Sequence, residues 1–289
     1  MKNVSLALVF LGSISYGMPA PLMKLANVPG GQTGGVIFFV FVLSSLVLNV
    51  LSFIRKNNQD KLGGKALLKI MFSGIPLALT TSFYFASLKY IPVSVAVVML
   101  MQSVWISQLI DYVVFRKVIS LRNVISIMLI LTGTVLATKV TGNLQEVSLT
   151  GLILAFLGAV SYAATIQITG RIRTDISPLQ KATILSSGAC VIAVILWYHS
   201  VRADYLIHQM YWGGLISIFA IIIPAVTFSA GMPKISPGLG AIITSLELPC
   251  AILFAWLLLG EAIDTSGFIG VTLILIAVVC GALPDIKIA

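Results

Sequence analysis

Glu247 stands near the middle of a long apolar segment, where a carboxyl group needs a specific environment. The segment Pro237–Leu259 is long enough, at about 1.5 Å per residue, to cross the roughly 30 Å hydrocarbon core of a bilayer. A charged side chain at its centre costs about 2.5 to 3.5 kcal/mol, so Glu247 should be neutral, paired or in contact with water inside a helix bundle. A functional interpretation is that Glu247 exchanges a proton or binds a substrate ammonium group during transport. A structural one is that it holds its helix to a neighbour through a hydrogen bond.

Pro249 lies two positions after Glu247 and predicts a break in the same helix. Proline has no N–H, so the carbonyl of Ser245, one turn back, is expected to lose its helical hydrogen bond. A carboxyl group and a free carbonyl would then form a polar notch at mid-depth. Such notches are typical of the substrate sites of secondary transporters.

Three residues of the fourth apolar segment are candidates for the opposite wall of this site. Ser103 lies 144 positions before Glu247, and Gln102 and Trp105 flank it. Their side chains could hydrogen-bond to a substrate and stack on it. The alternative for each is a contact that packs one helix on another.

Tyrosine hydroxyl groups inside apolar segments also need polar partners. Tyr16 and Tyr162 end two similar seven-residue stretches, and we expect both to line the site. Tyr84, Gln167 and Trp256 are weaker candidates.

The rest of the chain predicts a membrane bundle around these residues. Of its 289 residues, 58% are hydrophobic and 9% are charged, whereas soluble domains have about 25% charged residues. The net charge of +9 is spread between apolar runs, so a nucleic-acid partner is not expected. Ten apolar segments are predicted: Val4–Met23, Gly35–Ile54, Ile70–Leu88, Pro92–Ile110, Asn123–Thr138, Leu149–Gly170, Ala182–Tyr198, Tyr211–Gly231, Pro237–Leu259 and Ser266–Leu283.

The distribution of basic residues predicts the orientation of these segments. With the N-terminus inside, 14 of the 18 Lys and Arg residues lie on the inner side. Basic residues concentrate on the cytoplasmic side of membrane proteins. We therefore expect a multi-pass protein of the plasma membrane with both termini in the cytoplasm, in contact with the lipid bilayer.

The two halves of the sequence resemble each other. FLGSISY at Phe10–Tyr16 recurs as FLGAVSY at Phe156–Tyr162, with five identities in seven positions. Each half holds five segments, and because five is odd the second half must enter the membrane from the opposite face. The predicted fold is all-α, with ten transmembrane helices in two inverted five-helix repeats, residues 1–140 and 141–289. This architecture is typical of alternating-access carriers.

Other function classes lack their expected residues. Cys190, Cys250 and Cys280 stand singly in apolar runs, so neither a disulfide framework nor a metal site is predicted. No HExxH, GxSxG or nucleotide-binding GxxxxGK[ST] pattern occurs. We therefore expect no cofactor and no enzymatic activity. A membrane-embedded enzyme and a non-transporting sensor or assembly subunit are the alternatives to a carrier.

Over essentially its whole length the sequence resembles the ten-helix EamA-type members of the drug/metabolite transporter superfamily, and two segments carry the family's motifs. An aromatic-Gly pair followed by a basic residue appears as Tyr16, Gly17 and Lys24. An acidic-plus-Pro pattern with a later Trp and a Leu-Gly-Glu appears at Glu247, Pro249, Trp256 and Leu259-Gly260-Glu261. At the corresponding end of the fourth segment the chain departs from the pattern, with Phe115-Arg116-Lys117 in place of Leu-Gly-Glu.

The resemblance implies a fold and a general activity. The fold is two inverted repeats around a central cavity lined mainly by helices 1, 3, 4, 6, 8 and 9. The activity is export or exchange of amino acids, other small metabolites or drugs, by secondary transport. Whether the transport is coupled to protons or is facilitated efflux stays open at this point.

Overall fold

The computed structural model of the chain describes residues 2–26, 33–55, 62–87, 90–91, 93–138, 148–172, 175–260 and 265–282. All regular secondary structure in these ranges is helical. The predicted boundary between the halves, at residues 140 and 141, lies outside them, as does Glu261 of the Leu-Gly-Glu pattern.

Within these ranges, nine helical stretches are long and apolar enough to cross a membrane, and a tenth is apolar but shorter. In chain order they are α1 (Asn3–Ala26), α2 (Thr33–Ile54), α3 (Gly64–Ser87), α4 (Val95–Val113), the shorter α5 (Leu121–Ala137), α6 (Leu149–Arg171), α7 (Pro178–Ser200), α8 (Ala203–Lys234), α9 (Pro237–Leu259) and α10 (Thr265–Ala282). The predicted ten-helix membrane fold is confirmed. α3 and α8 begin several residues earlier than predicted, because polar or interfacial residues form their first turns.

Five of the ten spans are interrupted near their middle. The interrupted spans consist of Lys2–Tyr16 and Pro19–Ala26 in α1, Gly64–Phe72 and Ile75–Ser87 in α3, Val93–Leu100 and Ser103–Val113 in α4, Leu206–Ser217, a π-helical turn Ile218–Ile222 and Ile223–Gly231 in α8, and Pro237–Thr244 and Glu247–Leu259 in α9. All five are among the six helices expected to line a cavity. Irregular backbone at membrane depth is tolerated where it is buried in protein or lines such a cavity.

The interruptions of α4 and α9 occupy equivalent positions in the two halves. Val93–Leu100 and Pro237–Thr244 begin and end 144 positions apart, and their second helices begin at Ser103 and Glu247 with the same spacing. α9 has a proline just after its interruption, whereas α4 has none there. The interruption is therefore a property of the repeated fold, and proline is not required to produce it.

The carbonyl of Ser245 has a partner, contrary to the sequence-based expectation. The N–H of Leu248 donates to it at 3.2 Å, a tightened i to i+3 hydrogen bond. The N–H of Val104 donates to the carbonyl of Met101 at 3.2 Å in the same way. The local turn thus satisfies the group that Pro249 would have left free.

The ends of α4 and α9 also correspond, in spite of different sequences. Arg116 and Gly260 lie 144 positions apart, with φ of 52° and 68°, and Arg116 is the non-glycine residue with positive φ among those described. After Arg116, the N–H of Lys117 donates to the carbonyl of Asp111 at 3.0 Å, which ties the chain that leaves the helix back to its last turn. The end geometry is kept even though arginine replaces the glycine that suits it.

The two halves of the chain are interlocked. The most extensive packing joins α5 to α10, α3 to α6, α2 to α7, α2 to α8 and α1 to α8, so each of these pairs takes one helix from each half. A buried core cluster that contains Val9, Tyr162, Phe228 and Ile243 joins α1, α6, α8 and α9. This cluster surrounds the interruption of α9 and holds the residues described next.

Candidate functional site

Glu247 is the first residue of the second helix of α9, directly after the interruption. Its Oε2 accepts a hydrogen bond of 3.1 Å from the hydroxyl of Tyr162, which belongs to α6. The carboxyl group therefore points into the bundle rather than toward lipid. The hydrogen bond joins the second helix of α9 to a helix of the same half of the chain.

Aromatic rings from three further helices surround this pair. Tyr16 ends the first helix of α1, and its ring lies 6.2 Å from that of Tyr162 in an edge-to-face arrangement at 85°. Its centroid is also 5.5 Å from that of Phe228 in α8. Tyr84 of α3 packs against the same core, and its hydroxyl, like that of Tyr16, lies within electrostatic range of Glu247. We call Tyr16, Tyr84, Tyr162, Phe228 and Glu247 the aromatic–carboxyl cluster.

The cluster is internal without being fully packed. Tyr162 is 5% exposed and Phe228 is 6% exposed. Tyr16, Tyr84 and Glu247 keep intermediate exposure although their partners come from several helices. Partly accessible groups at this depth are expected of side chains that line an internal crevice.

The interruption of α1 crosses the second helix of α9, close to the start of that helix. A Cβ atom added to Gly17 would lie 2.5 Å from the Cβ of Cys250 and 2.8 Å from the backbone nitrogen of Ala251. Only glycine allows this approach. The crossing fixes the distance between Tyr16 and Glu247, each of which is next to one of the interruptions.

The candidates from α4 are engaged with one another. The indole nitrogen of Trp105 donates to Oε1 of Gln102 at 2.8 Å, and the Gln102 amide donates to the carbonyl of Val98 at 2.9 Å. Trp105 also packs against apolar clusters that hold Val104 and Ala159. The structure gives these side chains a packing arrangement within α4 and against its neighbours.

For two other candidates, the structure shows no hydrogen bond to the described residues of the aromatic–carboxyl cluster. Ser103 is 1% exposed inside α4. Trp256 is 49% exposed, and nine residues along a helix place it about 13 Å from Glu247 and on the opposite face. Neither joins the aromatic–carboxyl cluster.

Gln167, a further candidate, connects α6 to α4. Its amide donates to the carbonyl of Ser107 at 2.7 Å and to the Ser107 hydroxyl at 3.0 Å. All three groups are buried. The contact lies toward one end of the bundle. A second polar group lies at this end, and the sequence did not predict it.

This second group consists of Asp111, Arg171, Gly238 and Phe115, which we call the latch. Asp111 is 4% exposed. One of its oxygens pairs with the guanidinium group of Arg171, and the other accepts the N–H of Gly238 at 3.1 Å. The guanidinium carbon also lies 3.5 Å from the centroid of the Phe115 ring. One carboxylate thus joins the ends of α4 and α6 to the first turn of α9.

Packing between α4 and α9 differs at the two ends of the bundle. At the latch end, Ser103–Val113 packs along Pro237–Thr244. The corresponding helices at the other end of α4 and α9 are Val93–Leu100 and Glu247–Leu259. Between the described residues of these two helices there is no comparable packing. Glu247–Leu259 packs instead against Pro19–Ala26. Among the described residues, α4 and α9 thus pack together at the latch end and not at the other end.

Sequence reasoning named four of the five cluster members and missed Phe228 and the latch. Phe228 carries no polar group that would distinguish it from packing residues in an apolar run. Asp111 directly follows the predicted segment Pro92–Ile110, where an acidic residue does not stand out. Its partner Arg171 lies 60 positions away, so no local pattern connects them. Among the described residues no group of three His, Cys, Asp or Glu side chains could hold a metal ion.

The model of the EamA-like transporter family matches the chain twice, at residues 3–139 and 149–281. Among 29 solved chains that match, one titled "Crystal structure of protein" aligns over 98% of both chains with a TM-score of 0.80 and 14% sequence identity. That likeness establishes the fold alone. None of the curated proteins compared with the chain matches it.

Proposed function

Because this chain belongs to the EamA-like transporter family, we propose that it is a secondary transporter that exports small organic solutes such as amino acids, related metabolites or drugs. The observation that carries the proposal is Glu247, a carboxyl group at the interruption of α9, held by Tyr162 and surrounded by aromatic rings. Binding sites of secondary transporters are typically formed at interrupted helices near mid-membrane.

We assign the two matched regions to inverted repeats, residues 1–140 and 141–289. The common spacing of the α4 and α9 interruptions, and of Arg116 and Gly260, supports two copies of one fold. Five spans in the first copy make the second copy begin on the opposite face. We propose that the copies rock against each other around the site, with the largest packed pairs, each of which takes one helix from each copy, as the surfaces that move.

The packing of α4 and α9 supports alternating access. We assign the latch end to the cytoplasm, because the majority of Lys and Arg residues belong to that side. This orientation places both termini in the cytoplasm of a plasma-membrane protein. In the described conformation, α4 and α9 are then packed together on the cytoplasmic side of the site and not on its outer side. Transport requires the latch to open in the opposite state.

Glu247 is the candidate for coupling transport to protons. Replacing Glu247 with Gln keeps the shape and hydrogen-bonding capacity of the side chain but removes its titration. We expect Glu247→Gln to abolish proton-driven uptake into inverted vesicles and to leave solute exchange in place at solute concentrations high enough to offset weaker binding. Driven uptake equal to that of the unmodified protein would contradict the coupling role.

A thermal-shift screen of the purified protein against amino acids, nucleosides and amphipathic drugs provides the solute for this assay. A ligand stabilises the folded state in proportion to RT ln(1 + [L]/Kd). Stabilisation that is lost in Tyr16→Leu and in Glu247→Gln would place the ligand at the cluster. Flux of that ligand in reconstituted liposomes then separates a transporter from a non-transporting sensor, which would bind without flux.

A further inference from the structure

The aromatic–carboxyl cluster contains one acidic group and no described basic group. The other acidic residues that the structure describes, Asp111, Asp175 and Asp204, lie at span ends or in connections. Glu247 is therefore the acidic group of the described mid-span region. Its one described hydrogen-bond donor is a tyrosine hydroxyl, which is neutral.

Lys24 and Arg171, which follow Tyr16 and Tyr162 in α1 and α6, are distant from the cluster, and the buried Lys181 donates to the carbonyl of Thr169. Lys24 follows Tyr16 by eight positions, about 12 Å along a helix. Arg171 follows Tyr162 by nine positions and is paired in the latch. A substrate carboxylate or phosphate bound at the cluster would thus meet a carboxyl group and no described cation. Charge complementarity favours a cationic substrate.

The rings supply a second kind of recognition for such a cation. Tyr16 and Tyr162 are perpendicular, and the Tyr16 ring is tilted by 47° against Phe228. Faces and edges of differing orientation therefore border one carboxyl group. A cation within about 6 Å of an aromatic face is attracted by the ring quadrupole, and several rings around one site are typical of ammonium recognition.

Resting on the transport function proposed above, we propose that the cluster binds organic amines in their cationic form. The ammonium group lies against Glu247 and against the rings of Tyr16, Tyr84 and Tyr162. The apolar part of the solute extends toward Phe228. The Tyr162 hydroxyl keeps the carboxyl group oriented through its hydrogen bond of 3.1 Å.

Three probes of similar shape and different charge test this substrate class. These are 2-phenylethylamine, a cation at neutral pH, the neutral 2-phenylethanol and the anionic 3-phenylpropanoate, each titrated calorimetrically into the purified full chain. We expect the amine to bind at least 10-fold more tightly than the alcohol and the anion to show no binding. Equal or tighter binding of the alcohol or the anion, or binding of none of the three, overturns the proposal.

Variants locate the binding and separate ring from hydroxyl. Tyr16→Leu should weaken amine binding about 2- to 30-fold, whereas Tyr16→Phe, which keeps the ring, should stay within about 2-fold. Glu247→Gln should weaken it at least about 10-fold. The matched control is Tyr198→Leu, a tyrosine with 64% exposure outside the cluster, which should leave binding unchanged. Weakening in the control equal to that in Tyr16→Leu would contradict the location.

Counterflow of the labelled amine in liposomes distinguishes failure of this inference from failure of the transport function. Amine binding at the cluster without flux would overturn transport and leave the substrate class in place. Flux of the alcohol or the anion in preference to the amine would overturn the substrate class and leave transport in place.

Discussion

At the residue scale, the position of Glu247 depends on a glycine that carries no chemistry. Gly17 lets the interruption of α1 approach the backbone of α9 at Cys250 and Ala251. A methyl group at this position has backbone atoms as neighbours, and backbone cannot move aside as a flexible side chain can. Packing at Gly17 therefore fixes the positions of Tyr16 and Glu247 relative to each other.

Gly17→Ala should accordingly destabilise the protein by about 1 to 3 kcal/mol, as overpacking does in other tightly packed interiors. The melting temperature in detergent and amine binding should both fall. The control is Gly64→Ala, because a Cβ atom there has nothing within 4 Å. Equal melting temperatures for the two variants would contradict the close crossing.

Arg116 permits a second prediction at this scale. Its φ of 52° is a left-handed conformation that costs a non-glycine residue about 1 kcal/mol or more. Arg116→Gly should therefore raise the free energy of unfolding by about 1 kcal/mol, and Gly260→Ala should lower it. A lower melting temperature for Arg116→Gly would indicate that the arginine side chain makes stabilising contacts that outweigh its backbone strain.

How far the site was predictable also differs from residue to residue. Glu247, Tyr16, Tyr84 and Tyr162 could be named from the sequence, because polar atoms inside apolar runs stand out against their surroundings. Trp105 and Gln102 stand out for the same reason, yet they satisfy each other within one helix. Composition shows that a polar group needs a partner, but the partner depends on helix rotation, which periodicity alone does not determine.

At the element scale, the helix interruption is the feature that the two halves share. Pro249 suggested a cause for it in α9, but α4 forms the same interruption without proline. The length and the apolar character of the ten spans could be read from the sequence. The interruptions of α4 could not, since no residue in Met99–Ser103 has a strong helix-breaking tendency.

Pro249→Ala should for this reason preserve both the interruption and transport. We expect a change in melting temperature equivalent to less than about 1 kcal/mol, and amine binding within about 3-fold of the unmodified protein. Loss of binding in this variant, with a folded protein by size-exclusion chromatography, would show that the proline itself shapes the site.

At the scale of the whole molecule, the closed latch end determines which side of the membrane reaches the site. Asp111 holds three helices together through Arg171 and the first turn of α9. Removing one partner of a buried charge pair leaves the other without compensation and costs several kcal/mol. Loss of the latch should therefore favour the state that is open to the cytoplasm.

Labelling of a buried cysteine measures this shift. Ser107 is 0% exposed beneath the latch, so Ser107→Cys, in a chain without its native cysteines, reports opening there. Asp111→Asn should raise the rate of labelling by an impermeant maleimide from the cytoplasmic side about 5-fold or more. The control is Asp204→Asn, which removes an exposed ion pair of 3.8 Å with Arg202 and should leave the rate unchanged. An unchanged rate in Asp111→Asn would contradict the role of the latch.

The repeated interruption also gives the chain two positions with equivalent backbone for a polar side chain, one in each copy. Glu247 occupies one of these positions and Ser103 the other. The backbone is therefore the same in both copies, whereas the side chains differ. The acidic group of the aromatic–carboxyl cluster therefore comes from one copy, whereas its aromatic rings come from both. A substitution at one of these two positions can therefore change which solute the site prefers, while the repeated backbone is kept.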